Sequence, residues 1–563
     1  LIPKNADSTI KNRMLFLDQI FSSLEQSGDA VVLREVRAEQ TATCTARQLI
    51  EQVHVARAYL RRLRLKKGDR CALLAHNSIR WVAMDLAIMA EGLIAVPLYA
   101  RQAPAELVAM MKDCWPSVIA CGEQALGDAI VEQWPEAPPV FSFDNVFVGR
   151  DPAGGQGLSL AEGDVVAVIY TSGTSGEAKG VMLNAGNVTH MLECTSGRLT
   201  QLMKKRPGQD GVFHYLPFCF AGSWIMLLTC LLRGCNLTLN TDLGKIAADM
   251  RAAAPDYFLN VPALLERMRK AVDEQLWKTG GFPLKVYSKA KGAWARKHDG
   301  RSRVGDMVWL AMANRLVFPT IRKKMIGPSL RALICGSAPL NIETQLFFMM
   351  LGIPVLQVYG LTETTAICTM DDPDGRVVPG RAGPAIAGVE MKLAENQEIV
   401  VRGPNIFPGY WDRTEETEKV LRDGWFHTGD QGEVDERGNW KIVGRIKNLI
   451  ILSSGHNIGP ESIEDKILQQ LPGAVQVVLV GNGRGYLTAL VTGKVSADKV
   501  QAALQVASST LPHYKQVRGF HIIEEPFTIE SGLLTANGKL KRDLIAQRLQ
   551  NEIDAMYGAA TTA

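Results

Sequence analysis

Apolar and polar positions alternate along this chain with two distinct periods. Ala46 to Leu65 carries apolar residues at helical spacing. Lys66-Lys67-Gly68-Asp69 reads as a turn, and Arg70-Cys71-Ala72-Leu73-Leu74 as the strand after it. A second helical stretch around Val82 ends before the apolar run Leu93-Ile94-Ala95-Val96-Pro97-Leu98. Helix and strand in such alternation predict α/β layers with parallel strands. The same texture returns at Gly234 to Leu239 and at Leu330 to Cys335. Near Gly444 it changes. Gly444-Arg445-Ile446-Lys447-Asn448 is polar and turn-like, and the smaller unit that follows has its own strands at Val475 to Val480 and Tyr486 to Val491. The expected fold class is α/β: a large N-terminal domain of layered α/β subdomains at residues 1–446 and a small α+β C-terminal domain at 447–563.

Length agrees with that division, since 563 residues exceed what one core usually holds. With 47% apolar and 21% charged residues, the composition is that of an ordinary globular enzyme. Two apolar runs fall short of a membrane span: Trp224 to Leu232 is stopped by Arg233, and Trp81 to Ala100 is interrupted by Asp85 and Glu91. A chain that opens on Leu1, with no methionine and no signal-like apolar region, is expected to be a trimmed cytoplasmic protein. Its ten cysteines form no C-x-x-C pair and none lies beyond Cys368, which fits reduced thiols better than a disulfide framework or a zinc site.

The net charge of +4 is uninformative, but its distribution is not. Between Leu264 and Leu330 fifteen Lys/Arg stand against five Asp/Glu, so the remainder averages acidic. Trp277, Trp294 and Trp309 are interleaved with these charges. Such a segment suits peripheral contact with an anionic membrane or attraction of phosphate-rich ligands, and equally suits a solvated helical face. No motif supports nucleic-acid binding, and a homodimer is compatible with the chain.

Chemistry concentrates where the apolar run Val165-Val166-Ala167-Val168-Ile169 ends in Tyr170-Thr171-Ser172-Gly173-Thr174-Ser175-Gly176-Glu177-Ala178-Lys179-Gly180. Glycines let backbone N–H groups approach a ligand, hydroxyls add donors and a lysine adds a point charge. Together they suit a polyphosphate. The lysine precedes its glycine, so the Gly-Lys-Ser/Thr order of ordinary phosphate-loop NTPases is absent.

A second loop, Gln357-Val358-Tyr359-Gly360-Leu361-Thr362-Glu363-Thr364, follows the apolar strand Ile353 to Leu356. Its aromatic could stack on a purine, and its Thr-Glu pair offers a hydroxyl and a carboxylate to magnesium. Taken alone, the string equally describes a helix start capped by Thr362. Upstream, Gly336-Ser337-Ala338-Pro339 could be a plain strand-to-helix turn. Downstream, Asp430 closes Gly424-Trp425-Phe426-His427-Thr428-Gly429-Asp430, and a carboxylate can accept both hydroxyls of a ribose. Near the end, Leu534-Thr535-Ala536-Asn537-Gly538-Lys539-Leu540-Lys541-Arg542 offers a lysine that could bridge carboxylate and phosphate.

These strings, in this order, resemble the AMP-forming adenylating superfamily, which includes acyl-CoA synthetases, luciferases and peptide-synthetase adenylation domains. The resemblance spans nearly the whole chain. It implies ATP at Thr171, Ser172, Gly173, Thr174, Ser175, Gly176 and Lys179, and at Gly336, Ser337, Ala338, Pro339, Gln357, Tyr359, Gly360, Asp430 and Arg445. Magnesium is implied at Thr174 and Glu363, and catalytic roles at Lys539, Thr362 and Glu363. In this superfamily a mobile C-terminal domain turns about a hinge, here Lys447, and Ser454, Gly455 and His456 match the strip that lines the CoA tunnel.

Leu216-Pro217-Phe218-Cys219-Phe220-Ala221-Gly222-Ser223-Trp224 looks like the acyl-pocket motif, with Trp224 where long-chain synthetases place a gating tryptophan. Phe220 stands where relatives usually carry histidine. The basic segment is similar to an insertion of long-chain acyl-CoA synthetases, which makes a fatty acid the implied substrate beside ATP and CoA. Relatives often carry a carboxylate where Ser462 stands in Pro460-Glu461-Ser462-Ile463-Glu464, and this departure has no functional reading in the sequence. The implied activity is AMP-forming ligation of a medium- to long-chain fatty acid to CoA. Its rivals are transfer to an acyl-carrier-protein thiol and a nucleotide- or lipid-binding protein without turnover.

Overall fold

The alternating pattern folds into two large sheets with helices on their faces. In the first, Val140–Ser142, Val118–Cys121, Arg70–Leu74, Ile94–Leu98, Val165–Ser172 and Ala178–Asn184 lie side by side in that order. All neighbours run parallel except the last pair, an antiparallel hairpin. Parallel strands are covered on both faces and so read as unbroken apolar runs, and every residue of Ile94–Leu98 is buried. The computed structural model describes residues 13–37, 40–148, 158–172, 178–204, 207–298, 300–375, 377–509, 511–535 and 538–558.

The second sheet runs from Thr369–Met370 through Val355–Tyr359, Ala332–Cys335, Tyr257–Asn260, Gly211–His214, Asn236–Asn240 and Val31–Arg37 to Gln40–Thr45. It is parallel inside and antiparallel at both ends. A five-stranded antiparallel sheet follows, in which Trp425–Val434 alternates half-buried and buried residues over most of its length.

Local chemistry sets the helix ends. Thr45 Oγ1 accepts the Gln48 N–H at 3.2 Å, and Gln48 Oε1 accepts the Thr45 N–H at 2.9 Å, a capping box that starts Ala46–Arg62. The helix stops short of the expected Leu65 because Arg64 takes a φ of 54°, outside the right-handed region.

The broken apolar run from Trp81 to Ala100 becomes the core helix Ile79–Ala90 and the strand Ile94–Leu98. Among the described residues no helix is long and apolar enough to cross a membrane. All ten cysteines are free of disulfides, and nine are buried.

The C-terminal unit has its own three-stranded sheet, Ala474–Val480, Leu487–Gly493 and Val517–Ile523. Its core is its own as well, built from residues such as Ile450, Ile463, Ile467, Leu487 and Leu504. The basic segment forms four helices, Pro262–Thr279, Gly281–His298, Val304–Leu316 and Phe318–Met325. Leu265, Val286, Ala290 and Phe318 pack them against the second sheet, alongside Phe258 and Leu333.

Trp224 departs from its expected place. It is wholly buried, and its indole Nε1 donates to Asp85 Oδ2 of helix Ile79–Ala90 at 2.8 Å. On helix Ala221–Leu232 it points opposite Gly222, Ile225, Met226 and Thr229, which line the central cavity. At about 100° per residue those four cluster on the far side of the helix. Trp224 is therefore a core residue, and the expected gate is not formed by it.

Asp85 is fully buried, its Oδ1 has no partner, and burial pushes its pKa up to about 7 against the opposing indole bond. A carboxyl whose folded pKa is raised binds more protons folded than unfolded, so stability falls as pH rises toward that value. Wild type should lose ~1 kcal/mol per pH unit relative to Asp85→Asn as pH rises through the window below about 7, and run parallel to it above. Urea titrations of both proteins across pH would measure this, and parallel curves throughout would contradict a protonated Asp85.

Candidate active site

The two sheets and the C-terminal unit enclose a cavity of about 1600 Å³. Its walls include Thr171, Lys179, Gly336, Ser337, Ala338, Pro339, Gln357, Tyr359, Gly360, Thr362, Glu363, Asp430, Arg445, Lys447, Lys539 and Phe220. Gly173, Thr174, Ser175 and Gly176 lie outside the described residues, as does the side chain of Ser172.

The hairpin of the first sheet sets Thr171 opposite Lys179 and Tyr170 opposite Gly180. A Cβ on Gly180 would stand 2.7 Å from Val168 Cγ1, so this glycine serves close packing. Its carbonyl accepts the Trp411 N–H at 2.7 Å, and the Met182 N–H donates to the Gly409 carbonyl at 3.1 Å. Lys179 pairs with Glu416 and lies 5.4 Å from the Tyr410 ring. Burial lowers its pKa, Lys447, Arg413 and Lys419 lower it further, and Glu363 opposes them. A concentration of cations with few anions suits a polyphosphate.

Strand Val355–Tyr359 ends in a tight approach: a Cβ on Gly360 would fall 2.3 Å from the Ala366 carbonyl oxygen and 2.4 Å from Ile367 Cα. The next turn, Thr362–Thr364, is capped by Thr364, whose Oγ1 accepts the Leu361 N–H at 2.9 Å. Thr362 is thus left to the cavity wall and is not the cap. Glu363 Oε1 accepts the Tyr410 hydroxyl at 2.8 Å.

Asp430 and Arg445 face each other across neighbouring strands, and Arg445 Nε meets Asp430 Oδ1 at 2.7 Å. The Tyr359 hydroxyl donates to Asp430 Oδ2 at 2.7 Å. Burial raises the Asp430 pKa, while Arg445, Tyr359 and Lys539 pull it down. Burial also works against the charge of Arg445, but Asp430, Tyr359, Glu363 and Tyr410 outweigh it and leave its pKa raised.

Lys539 reaches this cluster from the C-terminal unit. Crowding within the cleft lowers its pKa, although the side chain still meets water there. Arg445 adds to the lowering, and Asp430 and Glu363 counter it. Lys541 also lines the cavity, but the coupling to both carboxylates belongs to Lys539.

Gln357 directs its amide Nε2 to Gln345 Oε1 at 2.9 Å and to the Arg381 carbonyl at 3.0 Å, so its side chain braces the wall. Ser337 adopts a φ of 72°, and a Cβ on Gly336 would lie 2.5 Å from Val358 Cγ2. This loop is a strained lining, more than a plain turn. Ser454, Gly455 and His456 are exposed and lie off the cavity, with His456 stacked 4.2 Å from Tyr514 and its Nδ1 2.9 Å from Ser454 Oγ.

The end of the cavity beside Phe220 is apolar. Leu199, Ile225, Met226 and Leu259 line it, and Phe220 sits 5.9 Å from Tyr99. The Thr195 and Thr229 oxygens stand 2.8 Å apart, and each is within reach of a helix carbonyl, so both hydroxyl protons are taken up within the helices. Tyr410 was not singled out by sequence reasoning. The Pro408-Gly409 turn before it is the signal that could have marked it.

Among the described residues no group of three or more metal-ligating side chains gathers. Glu363 does offer one carboxylate beside the cationic wall, a donor set that suits magnesium carried in largely by substrate phosphates.

A family profile described as AMP-binding enzyme matches residues 20–411, and one described as AMP-binding enzyme C-terminal domain matches 447–561. The long-chain-fatty-acid–CoA ligase FadD15 of Mycobacterium bovis is 25% identical, with 96% of each chain covered. The chloroplastic long-chain-fatty-acid–[acyl-carrier-protein] ligase AEE15 of Arabidopsis thaliana is also 25% identical, covering 95% of this chain and 86% of its own. ATP-bound MatB from Rhodopseudomonas palustris superposes with a TM-score of 0.72 at 24% identity, over 95% of this chain and 99% of that one.

Changing Gly360 to alanine should destabilise the fold by ~1–3 kcal/mol, because the clash is with backbone. Thermal and urea unfolding would register it, and a wild-type melt would contradict the close approach.

Proposed function

Because the chain belongs to the AMP-binding enzyme family, we propose that it joins a medium- to long-chain fatty acid to CoA at the expense of ATP, by way of an acyl-adenylate. The observation that carries this reading is that Lys539, Asp430 and Glu363 line one cavity that also has a cationic wall and an apolar end. ATP would lie with its β- and γ-phosphates toward Lys179 and its ribose toward Asp430. Magnesium, held by Glu363 and the phosphates, would neutralise charge on the leaving group.

In the first step a carboxylate oxygen bonds to the α-phosphorus while the bond to the β-phosphate oxygen breaks, and pyrophosphate leaves. The fatty carboxylate is already ionised, so no general base is required. Lys539 bridges carboxylate and α-phosphate and meets the charge that builds on phosphorus. In the second step the CoA sulfur bonds to the acyl carbon, the bond to AMP oxygen breaks, and the thiol proton goes to solvent. Turning of the C-terminal unit about Lys447 would withdraw Lys539 and bring Ser454, Gly455 and His456 to the thiol path. The apolar lining by Leu199, Ile225, Met226 and Leu259, with the Thr195 and Thr229 protons engaged inside the helices, supports an alkyl substrate there. Free reduced thiols are in keeping with a cytoplasmic site of action.

Lys539→Ala should lower acid-dependent pyrophosphate exchange by at least ~100-fold, while thioester formation from supplied acyl-adenylate stays within a few-fold. Equal loss of both half-reactions would refute the role of Lys539. Running graded fatty acids with CoA or with a holo-carrier protein decides the acceptor, since relatives of both names are similar to this chain.

A specific feature also supports membrane contact. Trp277 is 72% exposed, Val304 96% and Met307 74%, on helices that carry the local positive excess. Trp294 and Trp309 instead pack partly against the core. Exposed apolar side chains on basic helices suit the surface of an anionic bilayer. Flotation with phosphatidylserine-rich vesicles should exceed that with neutral ones and drop several-fold in a Trp277→Ser/Met307→Ser double variant. Flotation indifferent to lipid charge or to these substitutions would exclude the contact.

A further inference from the structure

The segment Pro460-Glu461-Ser462-Ile463-Glu464 opens the helix Glu461–Gln470 and is unused in the reading above. Its Glu464 is nearly buried, with side-chain exposure of 8%, and is bound on both oxygens. Arg542 Nη1 donates to Oε1 at 2.7 Å and Arg542 Nη2 donates to Oε2. Oε1 also accepts the Leu479 N–H at 2.7 Å, which fixes the carboxylate to strand Ala474–Val480. A two-pronged guanidinium–carboxylate contact fixes orientation as well as distance.

Arg542 begins the short helix Arg542–Arg548, three residues after Lys539. Residues 533–535 and 539–541 pair as the two arms of a hairpin. The Thr535 N–H donates to the Lys539 carbonyl at 2.8 Å, and the Lys541 N–H to the Leu533 carbonyl at 2.9 Å. The Lys539 N–H donates to Thr535 Oγ1 at 3.1 Å, and Leu534 bridges to Leu540. A hairpin closed in this way moves as one piece, and its anchored end is Arg542.

The same helix reaches the hinge. Glu461 Oε1 accepts the Asn448 Nδ2 donor at 2.7 Å, beside Lys447. One helical turn therefore touches both the pivot and the base of the Lys539 hairpin, with Glu461 and Glu464 on the same face at i and i+3.

We propose that Glu464 and Arg542 are positioning residues for adenylation: their buried pair clamps the Lys539 hairpin to helix Glu461–Gln470, so that rotation at the hinge delivers the Lys539 ammonium to one fixed place between Asp430 and Glu363. This rests on the function proposed above. Glu464 and Arg542 also line the cavity, but their charged atoms are engaged with each other and with the Leu479 N–H, so the effect proposed for them is on the half-reaction that uses Lys539. Loss of the fork lets the ammonium wander by an ångström or more, a displacement that costs on the order of 100-fold in rate.

The test is the pair of half-reactions in Arg542→Ala, Arg542→Lys and Glu464→Gln, with Lys539→Ala alongside. Acid-dependent pyrophosphate exchange should lose ~100-fold in kcat for Arg542→Ala with KM for ATP within about twofold, and Arg542→Lys should rescue only part of it. Thioester formation from supplied acyl-adenylate should stay within about twofold of wild type. Arg542→Ala leaves a buried carboxylate unpaired and could unfold the domain. The apolar double variant Glu464→Met/Arg542→Leu preserves volume without charge and should show the same split.

Equal losses in both half-reactions, a change in KM for ATP alone, or full exchange activity in the double variant would each overturn the clamp. If Lys539→Ala itself retains exchange, the proposed function fails and not merely the clamp. If Lys539→Ala loses exchange while the folded clamp variants keep it, only the clamp fails.

Discussion

Asp430 is the group on which the arrangement around the cavity depends. A nearly buried carboxylate is costly unless its oxygens are met, and here Arg445 meets one and the Tyr359 hydroxyl the other. The second of these bonds joins the five-stranded sheet that carries Asp430 and Arg445 to the eight-stranded sheet that carries Tyr359. A cation entering from the C-terminal unit is then drawn by Asp430 and Glu363 and opposed by Arg445, and Lys539 is under all three influences.

The charges form a graded field across the cavity. Lys179 pairs with Glu416 but stands among Lys447, Arg413 and Lys419, whereas Lys539 is under the influence of Asp430 and Glu363 against Arg445 alone. Within one nucleotide-sized space this separates a region that favours a polyanion from one that holds a lysine ready to be shared with an incoming carboxylate. The apolar end near Phe220 contributes shape with almost no polarity. The Thr195 and Thr229 protons are taken up within the helices, which leaves that end without a free hydroxyl donor from either residue.

Much of this was legible before any coordinates. Strand and helix alternation anticipated both parallel layers, because buried parallel strands leave unbroken apolar runs in the chain. The loops carrying Lys179, Tyr359, Glu363, Asp430 and Lys539 were found from their own small and polar residues, and the fold brings these side chains to one cavity. What escaped was orientation. Trp224 was expected at a gate, yet its place on the helix turns it toward Asp85, and only the partner helix reveals that. Gln357 was expected to serve ligand, yet Gln345 and the Arg381 carbonyl take its amide. Thr362 could be read as a cap, yet the turn closes on Thr364. Tyr410 was invisible because its partner Glu363 lies 47 residues away in the chain.

The segment from Gly409 to Trp411 has a second consequence. It lies along Ala178–Asn184, the outermost strand of the six-stranded sheet, bonding at Gly180 and Met182 and bridging Val181 to Tyr410. Uncovered, that border would present a row of unpaired amides to any neighbouring chain, the usual starting point of aggregation. The stretch of backbone that aims Tyr410 at Glu363 is thus also a seal on the sheet. Solubility and site geometry are written into the same three residues, and selection for either one preserves the other.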